Sequence, residues 1–405
     1  MTPFLQLIFL LAILLTAAKL AGYLSAAAGQ PAVLGELLIG LILGPSLVDI
    51  LHVPIFDDHL LGETVEHLAE IGVLLLMFVA GLELHIDELA RSSKVSAYAG
   101  ILGVAIPIAL GYGVGLGFDF EPRQAVFLGL TLGATSVSIS AQTLMELGVL
   151  RSRIGMGLLG AAVFDDVMVI LLLSAFLALS SGTGSIATIG LIFLRMLVFL
   201  ISSVALGMWL LPRLVRKISR LPISQGTITF VFVVMLLYGL AAEVVGNMAS
   251  ITGAFLAGLM FARSPEKERI ERGMSALSYG LFVPIFFVNI GLSVNARQLD
   301  AGVLLLMLGI ALVAVFGKWV GAGLGARLAE FSWREAIQLG AGMISRGEVG
   351  LILASVGMME GLVSESEFSA IVGMVLITTL ITPPLLRALF AKEEARPVAE
   401  ISLEQ

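Results

Sequence analysis

Thirteen apolar runs separated by short polar segments govern what this chain can fold into. They lie near residues 3–23, 31–48, 64–84, 95–117, 124–145, 155–180, 186–212, 224–242, 247–262, 275–294, 301–326, 333–358 and 367–390. A helix of about 20 apolar residues crosses the ~30 Å hydrocarbon core of a bilayer. Backbone groups in lipid must be satisfied within the protein, so such runs predict an all-α polytopic membrane protein. Composition agrees: 58% of the 405 residues are hydrophobic, 13% are charged and the mean hydropathy is +1.04, against roughly 25% charged in soluble domains. Forty-five glycines allow close helix approach, and with no cysteine there are no disulfide or thiolate sites. The net charge of −7 is spread over short loops and the last residues and says little about partners; no nucleic-acid partner is expected of such a membrane protein. The first run is too long for a signal peptide and Met1-Thr-Pro-Phe4 has no basic residue, so it reads as a retained helix.

Lys and Arg alternate with the loops. Odd-numbered loops and the tail hold seventeen, whereas even-numbered loops hold only Arg123 and Arg297. Cytoplasmic loops carry the excess of positive charge, which puts the N-terminus outside and the C-terminus inside.

Against this background two adjacent carboxylates stand out. Asp165 and Asp166 lie inside Gly155-Met-Gly-Leu-Leu-Gly-Ala-Ala-Val-Phe-Asp-Asp-Val-Met-Val-Ile-Leu-Leu-Leu-Ser174 of the sixth run. One Asp at the centre of a membrane helix costs about 2.5–3.5 kcal/mol even on insertion scales, so two require partners, bound cations or protonation. Successive helical residues are about 100° apart, so the two carboxylates face different partners. Lys318, within Val313-Ala-Val-Phe-Gly-Lys-Trp-Val-Gly-Ala322 of the eleventh run, is the charge partner expected for one, which leaves the other to face a cavity and hold a cation or a proton. A purely static network is the plainer alternative, but apolar replacements of buried ion pairs are often neutral or stabilising, so stability is a weak reason to keep three ionisable groups in lipid.

Two runs are interrupted by small and polar residues at mid-membrane depth: Thr131-Leu-Gly-Ala-Thr-Ser-Val-Ser-Ile-Ser-Ala141 and Gly340-Ala-Gly-Met-Ile-Ser-Arg-Gly-Glu-Val-Gly350. They are seven runs apart, and an odd offset turns the second copy upside down, the pattern of an inverted-repeat transporter with two discontinuous helices. The expected organisation is one transmembrane domain over 1–390, with repeats over about 1–180 and 224–390, a linker helix near 186–212 and a short cytoplasmic tail, 391–405. Arg346 and Glu348 in the second interruption are expected either to pair or to compensate half-helix ends. Glu36, Glu83 and Glu243 stand near helix ends and read as interfacial, and Arg195 is shallow enough to snorkel outward.

Several of these segments recur in a known family. Gln30-Pro-Ala-Val-Leu-Gly-Glu-Leu-Leu-Ile-Gly-Leu-Ile-Leu-Gly-Pro-Ser46, Leu68-Ala-Glu-Ile-Gly-Val-Leu-Leu-Leu-Met-Phe-Val-Ala-Gly-Leu-Glu83, Ala134-Thr-Ser-Val-Ser-Ile-Ser-Ala-Gln-Thr-Leu-Met-Glu-Leu-Gly-Val149, Phe164-Asp-Asp166, Pro284-Ile-Phe-Phe287 and Ser345-Arg-Gly-Glu-Val-Gly350 together resemble the second cation:proton antiporter family. The adjacent Asp pair with a Lys in the eleventh run resembles its electrogenic, sodium-transporting branch. The resemblance implies that Asp166 is the principal cation and proton ligand, and that Asp165 and Lys318 form a salt bridge that opens on cation binding. It also implies that Thr135, Ser136, Ser345, Arg346 and Glu348 lie at the crossing of the broken helices, and that a homodimer moves its core past a fixed scaffold. The expected activity is exchange of Na+ or Li+ for H+ across a prokaryotic inner membrane, with no cofactor and no enzymatic step. The chain ends fifteen residues past the last run, so regulation through an appended nucleotide-binding domain is not expected. A K+/H+ exchanger and a cation channel remain alternatives. An intramembrane aspartyl protease does not suit, because its two carboxylates must face each other across a water and neighbours on one helix point apart.

Overall fold

A computed structural model describes residues 1–58, 60–83, 93–180, 186–293, 297 and 301–390. The expected cytoplasmic tail, 391–405, lies outside the described residues. Within them the regular structure is entirely helical. The first half comprises α1 (Pro3–Ala27), α2 (Ala32–Leu43), α3 (Leu61–Glu83), α4 (Ser93–Gly117), α5 (Pro122–Gly133), α6 (Val137–Glu146) and α7 (Arg153–Ser180). Then follow α8 (Ile186–Trp209), α9 (Leu211–Ile218), α10 (Gly226–Val244), α11 (Ser250–Phe261), α12 (Lys267–Leu277) and, after a π-helical turn at Ser278–Phe282, α13 (Val283–Leu292). The chain closes with α14 (Ala301–Leu328), α15 (Trp333–Gly342), α16 (Gly347–Met359) and α17 (Glu365–Phe390).

Ten helical segments among the described residues are long and apolar enough to cross a membrane, one of them the interrupted α5–α6 pair. The second, ninth and twelfth expected runs correspond instead to shorter apolar helices, Ala32–Leu43, Ser250–Phe261 and Val349–Met358. These three are short for a physical reason. Pro31 precedes α2 and Gly44-Pro45 follows it, α11 begins only after the irregular Val245–Ala249 segment, and the twelfth run is broken in its middle.

Packing sorts the helices into two groups. α4, α5, α6 and α7 assemble with α14, α15, α16 and α17, whereas α1, α2 and α3 assemble with α8 and α10 to α13. Within the groups the partnerships come in matched pairs. α4 lies on α5 and α7 as α14 lies on α15 and α17; α1 lies on α2 as α10 lies on α11; α2 lies on α13 as α11 lies on α3.

The most extensive seam joins α4 to α14. Gly317, Gly321 and Gly325 recur every four residues along one face of α14, and a Cβ at Gly321 or Gly325 would come within 2.5 or 2.3 Å of the Leu102 or Tyr98 carbonyl oxygen of α4. Only bare backbone fits there, and dispersion across such a seam is what holds helices together when lipid removes the hydrophobic incentive. The seam also fixes the height and rotation of Lys318, the residue after the first of these glycines.

Gly321→Ala is therefore expected to destabilise the fold by about 1–3 kcal/mol, the usual cost of overpacking. A clearly lowered unfolding temperature in detergent checks this; an unchanged one would mean that the two helices separate without loss.

Candidate cation site at the helix crossing

α5 and α15 both stop inside the protein. After Gly133 the backbone of Ala134 to Ser136 is extended, with ψ of 157° at Ala134 and 115° at Ser136, before α6 begins. After Gly342 the chain leaves the helix through Met343 to Arg346 and resumes at Gly347, whose φ of +40° and whose 2.4 Å gap from a built Cβ to Ser136 Oγ both demand glycine. The two interruptions meet. Ser136 N–H donates to Ser345 O at 2.9 Å, and the Ser140 hydroxyl donates to Gly342 O.

Each broken helix leaves carbonyls carrying partial negative charge, and two buried cations take them up. Lys318 Nζ donates to Gly133 O at 2.6 Å, and Arg346 donates to Ala134 O at 2.9 Å, Met343 O at 3.4 Å and Ala314 O at 2.7 Å. Arg346 thus donates at both interruptions and also to Ala314 O within the continuous α14. Glu348 stands in the first turn of α16, and its side chain lies outside the described residues. Thr135, Ser136 and Ser345 are buried at the crossing, where Thr135 Oγ1 and Ser345 Oγ have no hydrogen-bond partner among the described residues.

α7 brings the carboxylates to this point. Lys318 Nζ also donates to Asp165 Oδ1 at 2.7 Å, with both side chains fully buried, while Asp165 Oδ2 has no hydrogen-bond partner among the described residues. Asp166, one residue on, turns elsewhere, as 100° of helical rotation requires. It is 9% exposed, accepts a hydrogen bond from Thr252 Oγ1 at 3.1 Å and lines a cavity of about 780 Å³. Glu66, Glu70, Glu243 and Asn289 line the same cavity, which lies between the two helix groups on the face where α3 begins and α10 and α13 end.

Asp165, Asp166, Lys318, Thr135, Ser136, Ser345 and Arg346 therefore lie together, whereas Glu36 and Arg195 lie elsewhere. Glu243 is not merely interfacial, since it lines the cavity of Asp166. Glu36 is 6% exposed and sits 3.6 Å from Lys19. Arg195 is exposed, away from the crossing, donating to Val244 O and Val245 O at the end of α10. Thr252 escaped sequence reasoning; the only signal was a polar residue in the first turn of an unusually short apolar run. The carbonyls of Gly133, Ala134 and Ala314 could not be found from residue types at all.

A family model described as sodium/hydrogen exchanger, transmembrane, matches residues 10–392. The chain is 38% identical over 391 residues to a Na(+)/H(+)-K(+) antiporter, GerN, of Bacillus cereus, covering 96% of this chain and 98% of that protein. It is 34% identical over 383 residues to a Na(+)/H(+) antiporter of Enterococcus hirae, covering 94% and 97%. The solved structure of the sodium proton antiporter MjNhaP1 from Methanocaldococcus jannaschii superposes with a TM-score of 0.70 over 97% of this chain and 98% of that one, at 17% identity, a likeness of fold.

Removing either member of the Asp165–Lys318 pair strands a charge in a low-dielectric interior, typically at a cost of about 3–5 kcal/mol. Asp165→Asn and Lys318→Met are each expected to lower thermal stability in detergent, and the double variant to recover part of the loss. Strictly additive shifts in that cycle would show that the two side chains are not coupled.

Proposed function

The chain belongs to the sodium/hydrogen exchanger family, a family of transporters rather than enzymes, and from that premise we propose that it exchanges Na+, and Li+ in its place, for protons at Asp166. The observation that carries this reading is a carboxylate at the floor of an aqueous-sized cavity, beside the crossing of two broken helices. Asp166 holds either a proton or a cation, never both, because a hard monovalent cation needs the deprotonated oxygen. Exchange follows from that competition without a separate coupling device. Thr252 Oγ1 keeps the Asp166 carboxylate oriented, and Thr135 Oγ1, Ser345 Oγ and Asp165 Oδ2 supply further oxygen atoms at the crossing, the ligand type such ions prefer.

Asp165 and Lys318 are the coupling pair. A cation arriving beside Asp165 weakens the hold of Lys318 on it, and the freed ammonium retains Gly133 O as an acceptor. If two protons leave for each monovalent cation that enters, one charge crosses per cycle, and the membrane potential contributes about 2.3 kcal/mol per 100 mV. K+ is the second cargo in view, because GerN carries K+ in its name and a K(+)/H(+) antiporter of Saccharomyces cerevisiae is 28% identical over 389 residues, covering 44% of that longer protein.

Alternation is best supported as movement of the α4–α7 and α14–α17 group past the remaining helices. The matched packing pairs support two inverted repeats, of about 1–180 and 224–390, with α8 in the linker between them. With the N-terminus outside, as the distribution of Lys and Arg favours, the Asp166 cavity faces out and the protein lies in a prokaryotic inner membrane. The functional unit is a homodimer joined through the group that does not move.

Asp166→Asn keeps the shape and removes the charge, and in proteoliposomes it is expected to abolish Na+-dependent proton movement; a normal rate would remove Asp166 from the site. For the intact protein, the apparent KM for Na+ should rise as pH falls, because protons occupy the same oxygen atoms, while the maximal rate at saturating Na+ changes comparatively little. A KM independent of pH, or current without proton countermovement, would favour a channel.

A further inference from the structure

On the face opposite the Asp166 cavity lies a second one, of about 460 Å³, lined by Lys19, Gln30, Glu36, Gln142, Glu146 and Arg387 among others. The faces are opposite because α13 spans the distance: Val283 and Pro284 at its start line this cavity, and Asn289 and Ile290 near its end line the other. Nothing in the exchange chemistry at Asp166 uses these groups.

Glu36 is 94% buried by its 6% exposure, yet among the described residues the only ion pair it makes is with Lys19, at 3.6 Å. The Lys19 side chain is 53% exposed. A carboxylate kept for structure alone is expected to gather several hydrogen bonds once buried. This one instead faces a cavity and is held by a single ammonium on a flexible stem that reaches in from solvent. The other charges on the walls are already engaged or lie to one side. Glu146 accepts Ala32 N–H at 2.7 Å and Gln142 Nε2 at 2.8 Å, thereby capping the start of α2, which has no side-chain cap of its own. The Arg387 guanidinium packs beside Gly29.

Two observations independent of Glu36 point to a cation here. Gln142, 91% buried by its 9% exposure, leaves Oε1 without a hydrogen-bond partner among the described residues. Also, α6 runs from the crossing at Ser136 straight to this cavity and ends there after ten residues, about 15 Å. Its negative end, the C-terminus, lies at the cavity wall formed by Gln142, Glu146 and Leu147.

We propose that Glu36 is a second, shallower binding site for the transported monovalent cation, on the pathway between the helix crossing and the face opposite the Asp166 cavity, where the cation displaces the Lys19 ammonium. Lys19 is then a tethered counter-ion, as Lys318 is to Asp165 in the site above. This deepens the antiport reading and rests on it. The site serves one face only, so its signature is an asymmetry. Loading from the Glu36 face passes through it, and loading from the Asp166 face does not.

The test is Na+-driven proton movement in proteoliposomes of defined orientation, with Na+ supplied to one face at a time. Glu36→Gln is expected to raise the apparent KM about fivefold for Na+ supplied at the Glu36 face, the size of one partly solvated charge contact, and to leave the KM from the Asp166 face unchanged. Lys19→Met removes the competitor and is expected to lower the KM on the Glu36 face alone. A merely structural Glu36 would change stability, or both KM values together, and equal shifts on the two faces overturn the proposal, as does no shift on either. If Glu36→Gln folds poorly, Lys19→Met decides alone, since its expected change is a gain of affinity that misfolding does not mimic. A parent protein that moves no protons when given Na+ at either face overturns the antiport reading, and this proposal with it.

Discussion

Two helices are broken in the interior of the protein, and the rest of the molecule is arranged around making that tolerable. The ends of α5 and α15 place carbonyl oxygens deep in the protein, and Lys318 and Arg346 reach them with charged donors. Each of these cations would itself be costly in lipid. Dipole and charge offset each other, and Asp165 brings a full countercharge to Lys318. The crossing thus sets peptide dipoles, two cations and two carboxylates against one another, and the proposed exchange uses that balance, one arriving cation shifting it.

The positions of those charges depend in turn on backbone contact rather than on side-chain fit. The glycines of α14 let it touch α4 directly, and Gly347 lets α16 begin against Ser136. Close seams of this kind make the α4–α7 and α14–α17 group a unit, while the cavity beside Asp166 marks where that unit parts from its neighbours. The second cavity, at the ends of α1 and α6, lies along the same division on the other face. A divided molecule with a charge site at the division, and a recess on either side of it, fits the alternating exposure proposed above.

Much of this was legible in the residues. Apolar runs alone establish a helical membrane protein, because lipid offers the backbone no other partner. Asp165, Asp166 and Lys318 announce themselves because ionisable groups in such runs are expensive, and the Gly- and Ser-rich interruptions announce broken helices because those residues are poor choices for the middle of a span. The opposed directions of the two carboxylates follow from helical rotation, which needs no tertiary information. The short second and ninth runs were harder to see as short, since hydropathy counts apolar residues whether or not they are helical.

Only the tertiary structure decided the partners. That Lys318 meets Asp165, that Arg346 serves carbonyls from three separate segments, that Thr252 reaches Asp166 and that Glu36 is buried beside a cavity all depend on where helices far apart in the chain come to lie. Backbone carbonyls carry no residue identity, so no motif could have named Gly133, Ala134 or Ala314 as acceptors. The sequence by itself determined the solvent, the helices and the residues whose burial must be compensated, because each is a local property of side chains and periodicity. Tertiary structure decided which group compensates which, because hydrogen bonds and ion pairs act over a few ångströms and only packing sets distances that short between residues 32 to 212 positions apart.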